Sequence, residues 1–196
     1  MSNFYKLHLE NHFNHKVIGD ENAIKNTSSL SNSGIGGCFF CPDMLPDSLE
    51  EIVIDNVPYI FPDKSPEKYD NITCEEQTTI THKGKYSTVN ILGLCEWGDF
   101  TEKFKLKFKS NYCEEAEVFL YDWWGGLGWF AYDYNKTNKN CKIALKATIS
   151  NSSTCGIYCF KYSIINFYED LCAIEFPYNT NMHIFAITLE CAVIAS

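Results

Sequence analysis

Trp123, Trp124 and Trp129 stand close together in a glycine-rich stretch, followed by Tyr132 and Tyr134. Flat aromatic rings offer apolar faces on which the C–H face of a sugar can stack, while nearby acids and amides bond its hydroxyls. Asp122, Asp133 and Asn135 lie near enough in sequence to supply those bonds. Trp97, in the turn Glu96-Trp97-Gly98-Asp99, is a second aromatic candidate of the same kind. The same tryptophans also suit a structural use, in which one or two of them plug the end of a sandwich.

Other chemistries find less support. Cys38-x-x-Cys41 has the spacing of half a zinc site, but no second pair at that spacing follows, and Cys155 and Cys159 stand further apart. His12, His15, His82 and His183 are scattered. No nucleophile elbow, metalloprotease motif or phosphate loop is present. The carboxylate pairs Glu75-Glu76 and Glu114-Glu115 are adjacent in sequence, so on a strand they point to opposite faces and make poor acid/base partners. The chain therefore leans away from catalysis. A small enzyme whose polar cluster is assembled from distant residues is a third reading.

The net charge of −9 and the lack of any arginine argue against nucleic acid and against anionic membrane surfaces. The lysines alternate along strands instead of forming a patch, which suits a solvated sheet face. The start of the chain lacks the apolar segment of a signal peptide, and no run approaches the roughly 18 apolar residues of a membrane span. The expected location is cytoplasmic. There most of the ten cysteines, Cys95, Cys172 and Cys191 among them, would be reduced small hydrophobes.

The elements that must position the aromatic cluster are strands. Phe104, Leu106 and Phe108 alternate with Lys103, Lys105, Lys107 and Lys109, and Ala116, Val118 and Leu120 alternate with Glu115, Glu117 and Phe119. With a turn at Ser110-Asn111-Tyr112, the expected hairpin sets Lys109 against Cys113, Leu106 against Ala116 and Phe104 against Val118. On the other face Lys107 meets Glu115 and Lys105 meets Glu117. Phe108 against Glu114 fits poorly and suggests a bulge or fraying.

Ile52–Ile54 and Val57–Phe61 read as strands around an Asp55-Asn56 turn. Ile72–Ile80, Gly84–Cys95, the start of 141–149, Gly156–Ile165, Leu171–Phe176 and Ile184–Leu189 read as further strands, with a turn at Asn179-Thr180-Asn181. The Asn- and Ser-rich stretch to about Asn32 reads as a long loop. No long helical pattern appears. Many short strands predict one all-β domain over 1–196, an antiparallel β-sandwich with its core at about 13–190.

Three segments carry a resemblance: Val57-Pro58-Tyr59-Ile60-Phe61-Pro62-Asp63 with the Gln77 strand after it, Gly84-Lys85-Tyr86 through Leu92-Gly93 and Gly98-Asp99-Phe100, and Asn181 through Glu190. With Phe13-Asn14 and the glycine turn Gly36-Gly37 in the same order, the chain resembles the galactose-binding-like jelly-roll modules found beside bacterial glycoside hydrolases. The resemblance spans about residues 13–190. It implies a non-catalytic, lectin-like carbohydrate-binding module, and the aromatic cluster then gives the expected ligand site as Trp97, Asp122, Trp123, Trp124, Trp129 and Tyr132. It also implies a structural calcium ion between an early loop and the last strand, with oxygens from Asp20, Glu21, Asn22 and Glu190. The competing reading is a protein-interaction module, its aromatic patch buried in a homodimer or against another protein.

Overall fold

The computed structural model describes residues 3–27, 30–124 and 138–193. Its strands are β1 (Phe4–Lys6), β2 (Glu51–Ile54), β3 (Val57–Ile60), β4 (Ile72–Glu75), β5 (Thr78–Gly84), β6 (Tyr86–Cys95), β7 (Phe100–Phe108), β8 (Cys113–Leu120), β9 (Cys141–Thr148), β10 (Thr154–Ser163), β11 (Leu171–Glu175) and β12 (Tyr178–Cys191). One sheet runs β1-β12-β6-β10-β9, and β4 shares the outer edge of β12 with β1. The other runs β5-β11-β7-β8, and every pairing in both is antiparallel. The chain is an all-β antiparallel sandwich, as its alternating patterns predict.

The four-stranded sheet shows why alternation works there. Phe104, Leu106, Ala116, Val118 and Leu120 are buried, while Lys103, Lys105, Glu115 and Glu117 face water. The register differs from expectation by two residues: Phe104 opposes Ala116, Lys105 opposes Glu115 and Lys103 opposes Glu117. A slip of two keeps every side chain on its own face, so the hydrophobic pattern alone does not separate these registers. The turn decides instead, with Tyr112 O accepting from Phe108 N–H at 2.9 Å and Phe108 O from Asn111 N–H at 3.0 Å.

The six-stranded sheet is covered on both faces. Phe104 packs on Phe176 between the sheets, with ring centroids 5.4 Å apart. Gly93 sits where a Cβ would come within 2.6 Å of His183 O and 2.8 Å of a Leu120 methyl, so the sheets close only over a glycine. The opposite face lies under the β2–β3 hairpin, where Pro58 O accepts the Thr188 hydroxyl at 2.6 Å. β6 is therefore buried along nearly its whole length, with apolar residues dominating from Val89 to Cys95.

Two expected elements change form. The run Ile72–Ile80 breaks at Glu76, whose φ is 63°, and its halves join different sheets as β4 and β5. The turn at Asn179-Thr180-Asn181 lies inside β12. There the β4 ladder steps from Asn179 straight to His183 while Met182 stays paired to β6, so turn-forming residues make a bulge instead of a reversal. The Asp55-Asn56 turn forms as read, with φ of 50° and 63°, the two positive angles a two-residue hairpin turn needs. The long early loop holds one short helix, α1 (Glu21–Thr27). No helix among the described residues is long and apolar enough to cross a membrane.

Candidate functional site

The end of β6 and the end of β8 meet at one edge of the sandwich. Cys95 N–H bonds Tyr121 O at 2.9 Å and Trp123 N–H bonds Cys95 O at 2.7 Å. These bonds bring the Trp97 turn beside Trp123 and Trp124. Asp122 ties the two together, its Oδ2 accepting from Gly98 N–H at 2.7 Å and its Oδ1 from Trp124 N–H at 2.8 Å. Asp99 returns the bond, Oδ1 accepting Asp122 N–H at 2.8 Å.

The result is a concavity of about 570 Å3, closed by the loop at Ile35, Gly36 and Cys38 and by Asn151. Its three tryptophans play three parts. Trp123 is buried, edge-on to Phe40 at 5.4 Å, and plugs the sandwich. Trp124 is half-buried and stands at 77° to Trp123. Trp97 is 77% exposed. Its φ of 63° is unusual for a bulky residue, a conformation that costs about 1–3 kcal/mol and persists only where neighbours enforce it. Here the Asp122–Gly98 bond enforces it.

Three carboxylates line this pocket and no lysine does. Asp122 spends both oxygens on backbone N–H groups, so its part is to hold the rings, not to bond a ligand. Glu96 is different. Its Oε1 stands 3.5 Å from His183 Nε2, the one sealed side-chain nitrogen or oxygen without a hydrogen bond among the described residues.

Behind His183 runs a buried polar chain. Asn71 donates Nδ2–H to Asp70 Oδ1 at 2.8 Å, which turns its own Oδ1 to His183 Nδ1 at 2.9 Å. His183 Nδ1 therefore donates to Asn71, and its Nε2 is the ring nitrogen that faces Glu96. His15 packs against the His183 ring at 4.8 Å, and burial, with His183 beside it, pulls its pKa down to about 3. Asp70 also accepts Val17 N–H at 3.0 Å and Ile18 N–H at 2.9 Å, and pairs with Lys16 Nζ at 3.0 Å, both side chains fully buried. Burial pushes the Asp70 carboxyl up, and the lysine and the bonds pull against it.

Sequence reasoning named Trp97, Trp123, Trp124 and Asp122, and the structure brings all four together. It missed Glu96 as a lining acid, together with Ile35, Cys38 and Asn151. The acid stands in the Glu96-Trp97-Gly98-Asp99 turn itself; the other three come from remote loops and had no local signal. Trp129 and Tyr132 lie outside the described residues.

The residues expected to hold calcium do not converge. Asp20 caps α1, its Oδ1 accepting Ala23 N–H at 2.9 Å, and Asn22 is exposed on that helix. Gly19 is tied to Phe40, which pairs with Ile149 beside Thr148 and Thr154, at the start of β10. Glu190 lies two strands from Ser163, at the other end of β10, and pairs with Lys161 at 3.4 Å. The ten residues of β10 span roughly 30 Å. Asp20 and Glu190 thus lie at opposite ends of the sandwich, and the set does not fit one calcium ion. Among the described residues no three His, Cys, Asp or Glu side chains are grouped to hold a metal.

The ten cysteines are all free. Cys95 is buried and Cys172 and Cys191 half-buried, while burial pushes the Cys141 and Cys155 thiols up to about 12. Cys38 and Cys41 are half-buried, with Cys38 on the wall of the tryptophan pocket.

The family model of the AziU2-like beta-sandwich domain matches residues 4–192. The chain belongs to that family. The match runs from β1 to just past β12, so both sheets and the tryptophan pocket lie within the family's domain. No curated protein matches the chain.

Proposed function

We propose that this AziU2-like domain is a non-catalytic binding module of the galactose-binding-like, jelly-roll kind, taking a neutral carbohydrate in the Trp97–Trp124 pocket. One observation carries the reading: a tryptophan held outward in a strained backbone conformation beside a half-buried second one, over a pocket lined by carboxylates. A sugar ring would stack on Trp97 and Trp124 while Glu96 and the outer oxygen of Asp99 accept its hydroxyls. With three acids and no lysine in the lining, the pocket repels anionic sugars. The free thiols suit a reducing, cytoplasmic compartment.

A glycan array followed by titration of tryptophan emission tests this. Saturable binding that Trp97→Ala abolishes, with urea unfolding unchanged, supports it. A folded protein that binds no glycan, and whose solution dimer is broken by the same substitution, replaces it with the interface reading.

A further inference from the structure

A second concavity, of about 400 Å3, opens on the outer face of the six-stranded sheet, between the β2–β3 hairpin, β6 and β10. It shares no lining residue with the tryptophan pocket, and its chemistry is the reverse. Lys139, Lys142 and Lys161 stand on its rim. Asp55 pairs with Lys142 at 2.5 Å, and Glu190 reaches Lys161 at 3.4 Å, so the rim keeps an uncompensated positive charge. That is notable in a chain of net charge −9.

Lysines at a surface do not make a site, but the floor beneath them is built. Tyr59 is 2% exposed, lines the pocket, and its hydroxyl bonds no group among the described residues. The only sealed and unpartnered side-chain nitrogen or oxygen among those residues is His183 Nε2, so the Tyr59 hydroxyl is open to the pocket. Asn90, also 2% exposed, gives Nδ2–H to Thr188 O at 3.2 Å, and its Oδ1 is left in the same position as the Tyr59 hydroxyl. A buried polar group without a partner is costly unless something bonds it. Tyr59 offers a hydrogen and Asn90 an acceptor, which together fit a ligand hydroxyl.

We propose that this pocket binds a small hydroxylated organic anion, its phosphate or carboxylate group at the lysine rim and a hydroxyl between Tyr59 and Asn90. Glycerol 3-phosphate carries both features and serves as the probe, with inorganic phosphate and glycerol as the separated halves. Calorimetric titration of the whole chain is expected to show saturable binding of glycerol 3-phosphate, weaker binding of phosphate and none of glycerol.

Lys139→Ala and Tyr59→Phe each weaken glycerol 3-phosphate by on the order of tenfold, the second with phosphate binding unchanged, since it removes only the hydroxyl. The Asn90 side-chain amide resonances shift on titration. Equal binding of glycerol 3-phosphate and phosphate, with Tyr59→Phe silent, would reduce the site to surface lysines and overturn the proposal. So would the absence of binding by glycerol 3-phosphate.

Discussion

On the four-stranded sheet, Lys103 reaches Glu115 at 2.7 Å, and Lys105 and Lys107 both reach Glu175, all on the wet face. Lys16 and Asp70, by contrast, pair with neither side chain exposed, and their remaining bonds are all internal: Lys64 O and Ser65 O on one side, Val17 and Ile18 N–H and the Asn71 amide on the other. The distances are alike, but water is present at one and absent from the other. An exposed pair trades hydration for a screened attraction, while a buried pair has given up hydration already and depends wholly on its partners. The buried pair also fastens three separate stretches of chain, at 16–18, 64–65 and 70–71, two of which are otherwise joined by an isolated bridge between His15 and Asn71.

Asp70→Asn should therefore have the largest effect. It strands the Lys16 ammonium without a counter-charge, and a loss of about 3–5 kcal/mol is expected in urea unfolding. A loss below about 1 kcal/mol would mean that Lys16 escapes to water, and the contrast between the sheets would fail.

Glu114 sharpens the comparison from the other side, because it belongs to the wet sheet yet is 4% exposed. Its oxygens accept Ile165 N–H at 2.9 Å, Asn166 N–H at 3.0 Å and Tyr162 OH at 3.0 Å, which holds the loop after β10 onto β8. Glu114→Gln removes the charge and turns an NH2 group toward a donor. A loss of about 2–3 kcal/mol is expected, and an unchanged midpoint would show that the loop stays docked without this carboxylate.

What could be read from the sequence follows the same division. Lys-Phe-Lys-Leu-Lys alternation reveals the wet sheet because each residue's neighbours decide its face. The register escaped because a shift of two residues satisfies the pattern equally, and the bulge expected from Phe108 against Glu114 does not form: Leu106 opposes Glu114 in an unbroken ladder, and the acid is turned inward onto a loop. The buried network had no local signature. Lys16, the adjacent Asp70 and Asn71, and His183 come from three distant parts of the chain, and each alone reads as an ordinary polar residue. The tryptophan pocket sits between these cases. Its aromatic half is one sequence cluster plus one turn, while its other wall comes from the loops at residues 35–38 and 151.

The pH dependence of stability should follow the buried side. His15 binds its proton at about pH 3 folded against 6.5 free, so below pH 6.5 the unfolded chain takes up a proton that the folded chain refuses. Stability is full above that value and falls as pH drops toward 3. From pH 7 to pH 5 the loss from this residue is about 2 kcal/mol. Asn71 Nδ2 also stands 3.2 Å from His15 Nδ1, so His15→Gln, which keeps an acceptor there, should remove most of that loss. A variant whose decline between pH 7 and pH 5 matches the wild type would place the acid sensitivity elsewhere.

The smallest effect belongs to the exposed pairs. Lys103→Ala removes the contact to Glu115, yet both groups keep their water when separated, so the unfolding midpoint should not move measurably. Raising salt is the stricter test. Screening acts on pairs that solvent reaches and hardly at all on Lys16–Asp70, so salt should leave the penalty of Asp70→Asn intact. If salt erased that penalty, water would have to reach Asp70, and the difference between the two sheets would be one of degree only.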